Sequence, residues 1–149
     1  MKKIPLIKGG FAIVDNSTFK KVMRFCWYVD AHGYAVSNLQ PQKKMHRLIM
    51  GFPKSGIDHK NGNKLDNRIA NLRICSQKEN QANSKKGKNN TSGFKGVSWD
   101  KSRKKWRAYL TKNYKQQFIG RFDDKKEAAK AYNNRARKEF GNFCKLNKV

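Results

Sequence analysis

The strictest alternation of apolar and polar positions lies in the last third of the chain. Trp106, Ala108 and Leu110 alternate with Lys105, Arg107, Tyr109 and Thr111. A period of two marks a strand with one face packed and the other wet. Residues 94–99, 105–111 and 116–122 read as three such strands. The spacing then becomes helical. Ala128, Ala129, Ala131, Tyr132, Ala136 and Phe140 fall on one stripe. Asp124, with Glu127 three residues on, makes a capping-box start, and Gly141 supplies the stop. Alanines let such a helix lie close on the sheet, which leaves Lys105, Arg107 and Tyr109 on the opposite, open face.

The earlier part of the chain has shorter periods. Residues 3–7 and 11–14 read as strands around the Gly9-Gly10 turn. Asp15, Asn16 and Ser17 offer caps for a helix over 18–25, with Phe19, Val22, Met23 and Phe25 on one face. Residues 27–29 and 34–37 form a hairpin around His32-Gly33, a turn in which His32 is structural. Residues 45–50 are apolar and fit either a helix or a strand. Further on, a strand ending at Asp58-His59, a second strand over 73–76 and a helix over 77–85 follow in order.

Residues 84–93 contain no apolar side chain and combine Gly, Ser, Asn and Lys. Nothing in them offsets the entropy of ordering, so they read as a linker. The predicted division is a first domain at 1–84, a linker at 85–93 and a second domain at 94–149.

Composition then names a class of partner. The chain has 149 residues with 35 Lys+Arg against 10 Asp+Glu, a formal net charge of +25. Residues 1–88 carry +13 of it and residues 89–149 carry +12. Both halves are therefore expected to lie on a polyanion, with nucleic acid the leading candidate. No apolar run approaches the roughly 18 residues of a membrane span, and no signal-peptide core forms at the start. Cys26, Cys75 and Cys144 are isolated, which excludes a disulfide framework or zinc ribbon and points to an intracellular, cytoplasmic setting.

Candidate chemistry is concentrated at Asp58-His59 and the Asn- and Gly-rich residues after it: Asn61-Gly62-Asn63, Asp66-Asn67-Arg68, Asn71-Leu72-Arg73 and Asn80. A strand, loop, strand and helix would bring Asp58 and Asn80 together. Both offer oxygen, which Mg²⁺ prefers, and the neighbouring histidine can take a proton from water. Taken alone, Asp-His-x-Asn-Gly-Asn is also what a tight turn with Asx hydrogen bonds looks like. In their joint order these residues resemble the HNH nucleases, and in particular the homing endonucleases of phages and introns. The resemblance covers most of residues 43–84 and implies a ββα-metal fold. It implies that Asp58 and Asn80 are metal ligands, that His59 is the general base, and that Asn71 holds the loop and helps orient the histidine. Asparagine at 80 favours a divalent metal of the Mg²⁺ type, with Mn²⁺ as the alternative. His46 and Arg47 resemble a segment that precedes the motif, where His46 braces the site or touches phosphate.

The second half resembles the apetala or ethylene-response-factor DNA-binding domain. The residues that carry this are Phe94-Lys95-Gly96-Val97, Trp106 with Ala108, Phe118-Ile119-Gly120-Arg121-Phe122, and Glu127-Ala128-Ala129 with Ala131-Tyr132. The resemblance implies a sheet in the major groove with the helix behind it. Lys95, Trp99, Arg103, Lys105, Arg107, Tyr109, Gln116 and Arg121 are then the candidate DNA contacts, with Arg and Gln suited to base edges and Lys to phosphate. Ser98 stands where the plant domains have a base-reading arginine, so their target sequence does not transfer. The expected fold class is α+β, a ββα-metal nuclease module followed by a three-stranded antiparallel sheet on one helix. The expected function is a homing-type, metal-dependent endonuclease acting on double-stranded DNA. As a monomer or weak dimer with no obligate small-molecule ligand, it would nick as a monomer and need a dimer or a second event for a double-strand break. The alternative is a non-catalytic, sequence-specific DNA-binding regulator.

Overall fold

Two compact units divide the chain, Met1–Ser76 and Gln77–Val149, in a computed structural model that describes residues 1–84, 86–87 and 89–149. The first unit is mixed α+β, built on three two-stranded antiparallel sheets. Strands β1 (Lys2–Pro5) and β2 (Phe11–Val14) pair with Ile4 opposite Ala12. Helix α1 (Asn16–Val22) leads to the hairpin of β3 (Trp27–Val29) and β4 (Ala35–Ser37). Helix α2 (Met45–Ile49) resolves the ambiguous apolar segment as helix. Strands β5 (Gly56–His59) and β6 (Leu72–Cys75) form the last hairpin.

One core joins the N-terminal elements: Ile4, Leu6, Ala12, Val14, Val22, Trp27, Ala35, Met45 and Leu48. Trp27 is its largest side chain and is fully buried, and its indole N–H is satisfied by the Val22 carbonyl at 2.8 Å. Burying an aromatic of this size, polar end included, accounts for roughly 1.5–3 kcal/mol of stabilisation. Helix α1 departs from the expected 18–25 span. It begins two residues earlier and ends at Val22, and Met23 is exposed instead of buried. Asp15 precedes the helix without capping it, because its carboxylate accepts from the Ile69 amide at 2.7 Å.

The second unit opens with α3 (Gln77–Ala82). It continues as the antiparallel sheet β7 (Val97–Asp100), β8 (Lys105–Lys112) and β9 (Lys115–Phe122), in that order, with α4 (Lys125–Phe140) packed on one face. Asp124 forms the N-cap that the spacing predicts, its carboxylate accepting from the amides of Lys126 and Glu127. Ala128, Ala129, Tyr132 and Ala136 are buried along α4. So is Asn133, a polar residue that pattern reading leaves outside. It exchanges two bonds with Asn147, donating to its carbonyl and accepting its amide.

The segment read as a linker departs from expectation. The boundary between units lies after Ser76, so α3 groups with the second unit rather than with residues 1–76. Residues 89–93 are also bonded into that unit. Ser92 is buried, its hydroxyl donating to the Val97 carbonyl at 2.8 Å, and Asn90 donates to the Phe94 carbonyl at 2.8 Å. Polar side chains order this stretch by satisfying backbone groups, a source of order that apolar counting misses. Lys85 and Lys88 lie outside the described residues.

Gly96, just before β7, lies against Tyr132 of α4. Its φ is +72°, and an added Cβ would overlap the Tyr132 ring and fall 2.5 Å from the Tyr109 carbonyl oxygen. A left-handed backbone and a filled space act together here. Gly96→Ala is expected to lower the stability of the second unit by about 2–4 kcal/mol, read from urea denaturation of the full chain.

Candidate active site

The β5–β6 hairpin sets Asp58 directly opposite Arg73 and His59 opposite Leu72. Asp58 is 6% exposed, and its Oδ2 accepts from both Nε and Nη2 of Arg73, at 2.9 and 2.6 Å. A carboxylate this buried needs a partner of this kind. His59 ends the strand at 4% exposure.

Between the two strands the chain makes a cross-linked loop. Gly62, at φ +71°, closes the first turn by donating its amide to the His59 carbonyl. Asn61 and Asn63 accept from the amides of Asn63 and Leu65, so the Asx turns do form. Asn71 reaches across the loop, accepting from the Asn61 amide at 3.0 Å and donating to the Asp66 carbonyl at 2.7 Å. Asp66 takes a two-pronged bond from Arg68, Nε and Nη2 each at 2.7 Å, and a third from Asn61 Nδ2. The turn reading and the functional reading therefore describe the same residues.

The imidazole is contacted from two sides. Asn67 Oδ1 lies 3.2 Å from His59 Nε2, and Asn67 is fully buried. Its backbone amide donates to the Ile13 carbonyl at 2.7 Å, and the Ile13 amide donates to Leu65 at 2.8 Å, so β2 extends into this loop. With Asn67 Oδ1 facing the ring, an amide oxygen that only accepts, the bond requires the proton on Nε2. On the other side the His46 ring meets His59 edge-on at 5.2 Å, and Tyr34 lies 5.0 Å from His46 and 6.1 Å from His59. Burial pushes the proton affinity of His59 down, opposed by the Asn67 bond and the Asp58 charge, so the ring is neutral at pH 7 and able to accept a proton.

An HNH endonuclease family description matches residues 43–82, the span holding this hairpin, its loop and all of α3. A protein of Acanthamoeba polyphaga mimivirus described as the uncharacterized HNH endonuclease L560 is 32% identical over 149 residues, covering 95% of this chain and 77% of the relative. The chain belongs to the HNH endonuclease family. Protein 3.8 of Escherichia phage T7 is 50% identical to this HNH protein over 60 residues, covering 40% of this chain and half of the phage protein. No solved structure matches it.

Within the HNH unit, the central Asn71 bonds the loop backbone and Asn67 touches the histidine. The Asp66-Asn67-Arg68 run is visible in the sequence, but which asparagine turns to His59 depends on the distant pairing with β2. His46 is buried behind His59 rather than facing outward, and Arg47 bonds the carbonyls of Pro53 and Ser55, bracing the approach to β5. Asn80 is exposed on α3, in the second unit. Among the described residues no three of His, Cys, Asp and Glu cluster as a metal site, and no helix is long and apolar enough to cross a membrane.

In the second unit the strand register sorts the remaining candidates. Ser98, Arg107 and Arg121 are cross-strand neighbours on the face away from α4, followed by Tyr109 opposite Phe118 and Thr111 opposite Gln116. Arg121 is bonded to Asp100 at 3.2 Å and lies over the Phe118 ring at 4.8 Å. Arg103 also pairs with Asp100, at 3.7 Å, and Lys105 pairs with Asp123, at 3.0 Å. Bonds from Ser102 and Arg121 hold the Asp100 carboxyl down at about 2, so it stays charged in this network. Phe118, 56% exposed on this face, is absent from the sequence-derived contacts; its place follows from a bulge that spacing alone does not reveal. Trp99 pairs with Trp106 on the helix side, with ring centroids 5.0 Å apart. Lys95 donates to the carbonyls of Ala82 and Ser84, and burial lowers its ammonium to about 8. A cavity of about 450 Å³, made entirely of second-unit residues, includes Lys95, Ser98, Tyr109 and Tyr132.

His46 carries the clearest pH signature of the HNH unit. Burial first, then repulsion from His59, Lys44 and Arg47, lowers it to about 3, with Asp30 acting in opposition. A folded value below the unfolded 6.5 means its stabilising contribution is complete above pH 6.5 and is lost as pH falls toward 3. Unfolding is expected to become easier by about 2 kcal/mol between pH 7 and 5 from this group alone. His46→Leu should flatten that part of the profile in urea titrations at the two pH values.

Proposed function

We propose that the chain is a divalent-metal-dependent endonuclease that hydrolyses phosphodiester bonds in double-stranded DNA. The observation that carries this reading is the neutral His59, next to the buried carboxylate of Asp58, with its Nε2 on Asn67. Asp58 is the proposed protein ligand of Mg²⁺, or of Mn²⁺ in its place. Carboxylate oxygen suits a hard cation that keeps waters and substrate phosphate for its other positions. When bound, the metal supplies Lewis acidity at the scissile phosphate and stabilises the leaving 3′ oxygen. His59 takes the proton of the attacking water at Nδ1. Asn67 keeps Nε2 protonated, and Asn71 holds the loop at the length that presents both.

One such centre cuts one strand, so a monomer nicks, and a weak dimer or a second event is needed for a double-strand break. The homing type follows from the likeness of the motif residues to that subset. The second unit is the proposed reader, of the apetala or ethylene-response-factor kind, with its open sheet face against the major groove. Arg107, Arg121, Tyr109 and Gln116 are the proposed base-edge contacts, with Phe118 beside them. Lys105 and Arg103 are proposed for phosphate. Lys95 and Trp99 leave the set, because the ammonium is taken by protein carbonyls and the indole lies on the helix side.

Supercoiled plasmid with Mg²⁺ is expected to become nicked circle, and His59→Ala or Asp58→Ala to slow this by about 10²-fold or more. A wild type that binds duplex DNA and leaves plasmid intact with both Mg²⁺ and Mn²⁺ would make the chain a non-catalytic DNA-binding protein. In the same assay Asn67→Leu should lose at least about tenfold in rate with DNA affinity unchanged, and Asn67→Asp, which keeps an acceptor, should recover most of it.

A further inference from the structure

Two lysines from separate segments converge on one aromatic ring beside the histidine pair. Lys64, in the β5–β6 loop, places its ammonium 4.4 Å from the centroid of Tyr34, and Lys44, just before α2, places its own at 4.8 Å. Tyr34 is the ring that lies against His46 and His59. Neither ammonium makes an ion pair among the described residues. Lys64 is further fixed by donating to the His32 carbonyl at 2.7 Å, its stem running 3.8 Å from the place a Cβ on Gly33 would occupy. Asp30 is the acid whose charge acts most on Tyr34, and its Oδ1 is engaged by the amides of His32 and Tyr34.

Holding two like charges on one ring is unfavourable unless something else offsets their repulsion. Tyr34 does so in part through its π face. An ammonium has three donors, and Lys64 uses one on protein. Both lysines are half-buried. A pair of positioned, unneutralised cations beside the histidine pair suits an anion with several oxygens.

We propose that Lys44 and Lys64, held on Tyr34, form a subsite for backbone phosphates of the DNA strand to be cut, next to the scissile one. The subsite rests on the nuclease reading for its position relative to the cut, but its affinity for DNA can be measured without cleavage. It differs from general surface charge because the two ammonium groups come from different segments and are fixed to the ring that supports the general base. Its role is to hold the strand in register with His59, and the sheet of the second unit supplies the sequence preference.

The test is binding of the full chain to a short duplex in EDTA, followed from about 50 to about 200 mM salt. Lys44→Ala/Lys64→Ala is expected to reduce the slope of log affinity against log salt by about 1.8, or about 0.9 per phosphate released. Lys44→Arg/Lys64→Arg should restore it. Lys20→Ala/Lys21→Ala, which removes two exposed charges from α1 and its end, measures the effect of charge alone and should leave most of the slope. The single variants Lys44→Gln and Lys64→Gln, each expected to remove about 0.9, keep the measurement available if the double variant unfolds. An unchanged slope, or a loss equalled by the Lys20/Lys21 control, overturns the subsite. A reduced slope in a protein that never nicks plasmid keeps the subsite and removes the nuclease reading. Nicking with an unchanged slope does the reverse.

Discussion

Ile13 donates its amide to Leu65 and accepts from Asn67, and through these two bonds the N-terminal core fixes the geometry of the histidine. Net, each such bond contributes only about 1 kcal/mol to stability, but the pair sets direction as well as energy. Ile4, Val14 and Trp27 hold β2 in the core, β2 holds the loop at 65–67, and the loop holds Asn67 on Nε2. Asp15 adds a third tie by accepting from Ile69. The first forty residues are therefore the frame of the site, though they contribute none of its proposed chemistry. This also explains why the loop tolerates so many asparagines. Asn61, Asn63 and Asn71 each satisfy backbone groups, Asn67 turns to His59, and the strand outside the motif removes the remaining freedom.

A similar economy governs charge on the second unit. Its few acidic residues are placed among the cations: Asp100 takes Arg121 and Arg103, Asp123 takes Lys105, and Glu139 takes Lys112 and Arg135. Exposed pairs of this kind add little stability. Their effect is on direction, since a guanidinium held at Nε has its other nitrogens pointed elsewhere. Arg107, which makes no ion pair among the described residues, is left to the solvent on the same face. The surplus of +25 is in this sense divided between oriented cations and loose ones.

The elements with regular periods were legible in the sequence. The three strands and long helix of the second unit follow from period two, period 3.6 and a capping box, and each appears within a few residues of its expected place. The Asp58-His59 pair stands out in the sequence because it opens an ordered run of motif residues, and β5 does end on it. What stayed hidden depends on contacts far apart in sequence. Asn67 reads as one asparagine among several until β2 singles it out. Tyr34 looks like a hairpin residue until α2 and the loop bring His46, Lys44 and Lys64 to its ring. The ordering of residues 89–93 by Ser92 and Asn90 was invisible for a different reason: polar side chains that satisfy backbone groups leave no trace in an apolar pattern.

The irregularity between Ala108 and Tyr109 pairs Ala108 with Gly120 but Tyr109 with Phe118, leaving Ile119 as an extra residue in β9. Ile119 and Gly120 consequently both serve the packed side, and residues 118 and 121 come to share the open one. In an unbroken strand, positions three apart face opposite ways, and the Arg121 guanidinium could not lie over the Phe118 ring. The bulge thus acts as a phase shift written into the strand. Loss of one residue there would exchange every earlier side chain of β9 between core and solvent, whereas a change of length in the turn at Asn113 and Tyr114 would leave the phase of both strands intact. Insertions and deletions among descendants of this sequence should accumulate at the turn and be purged at the bulge.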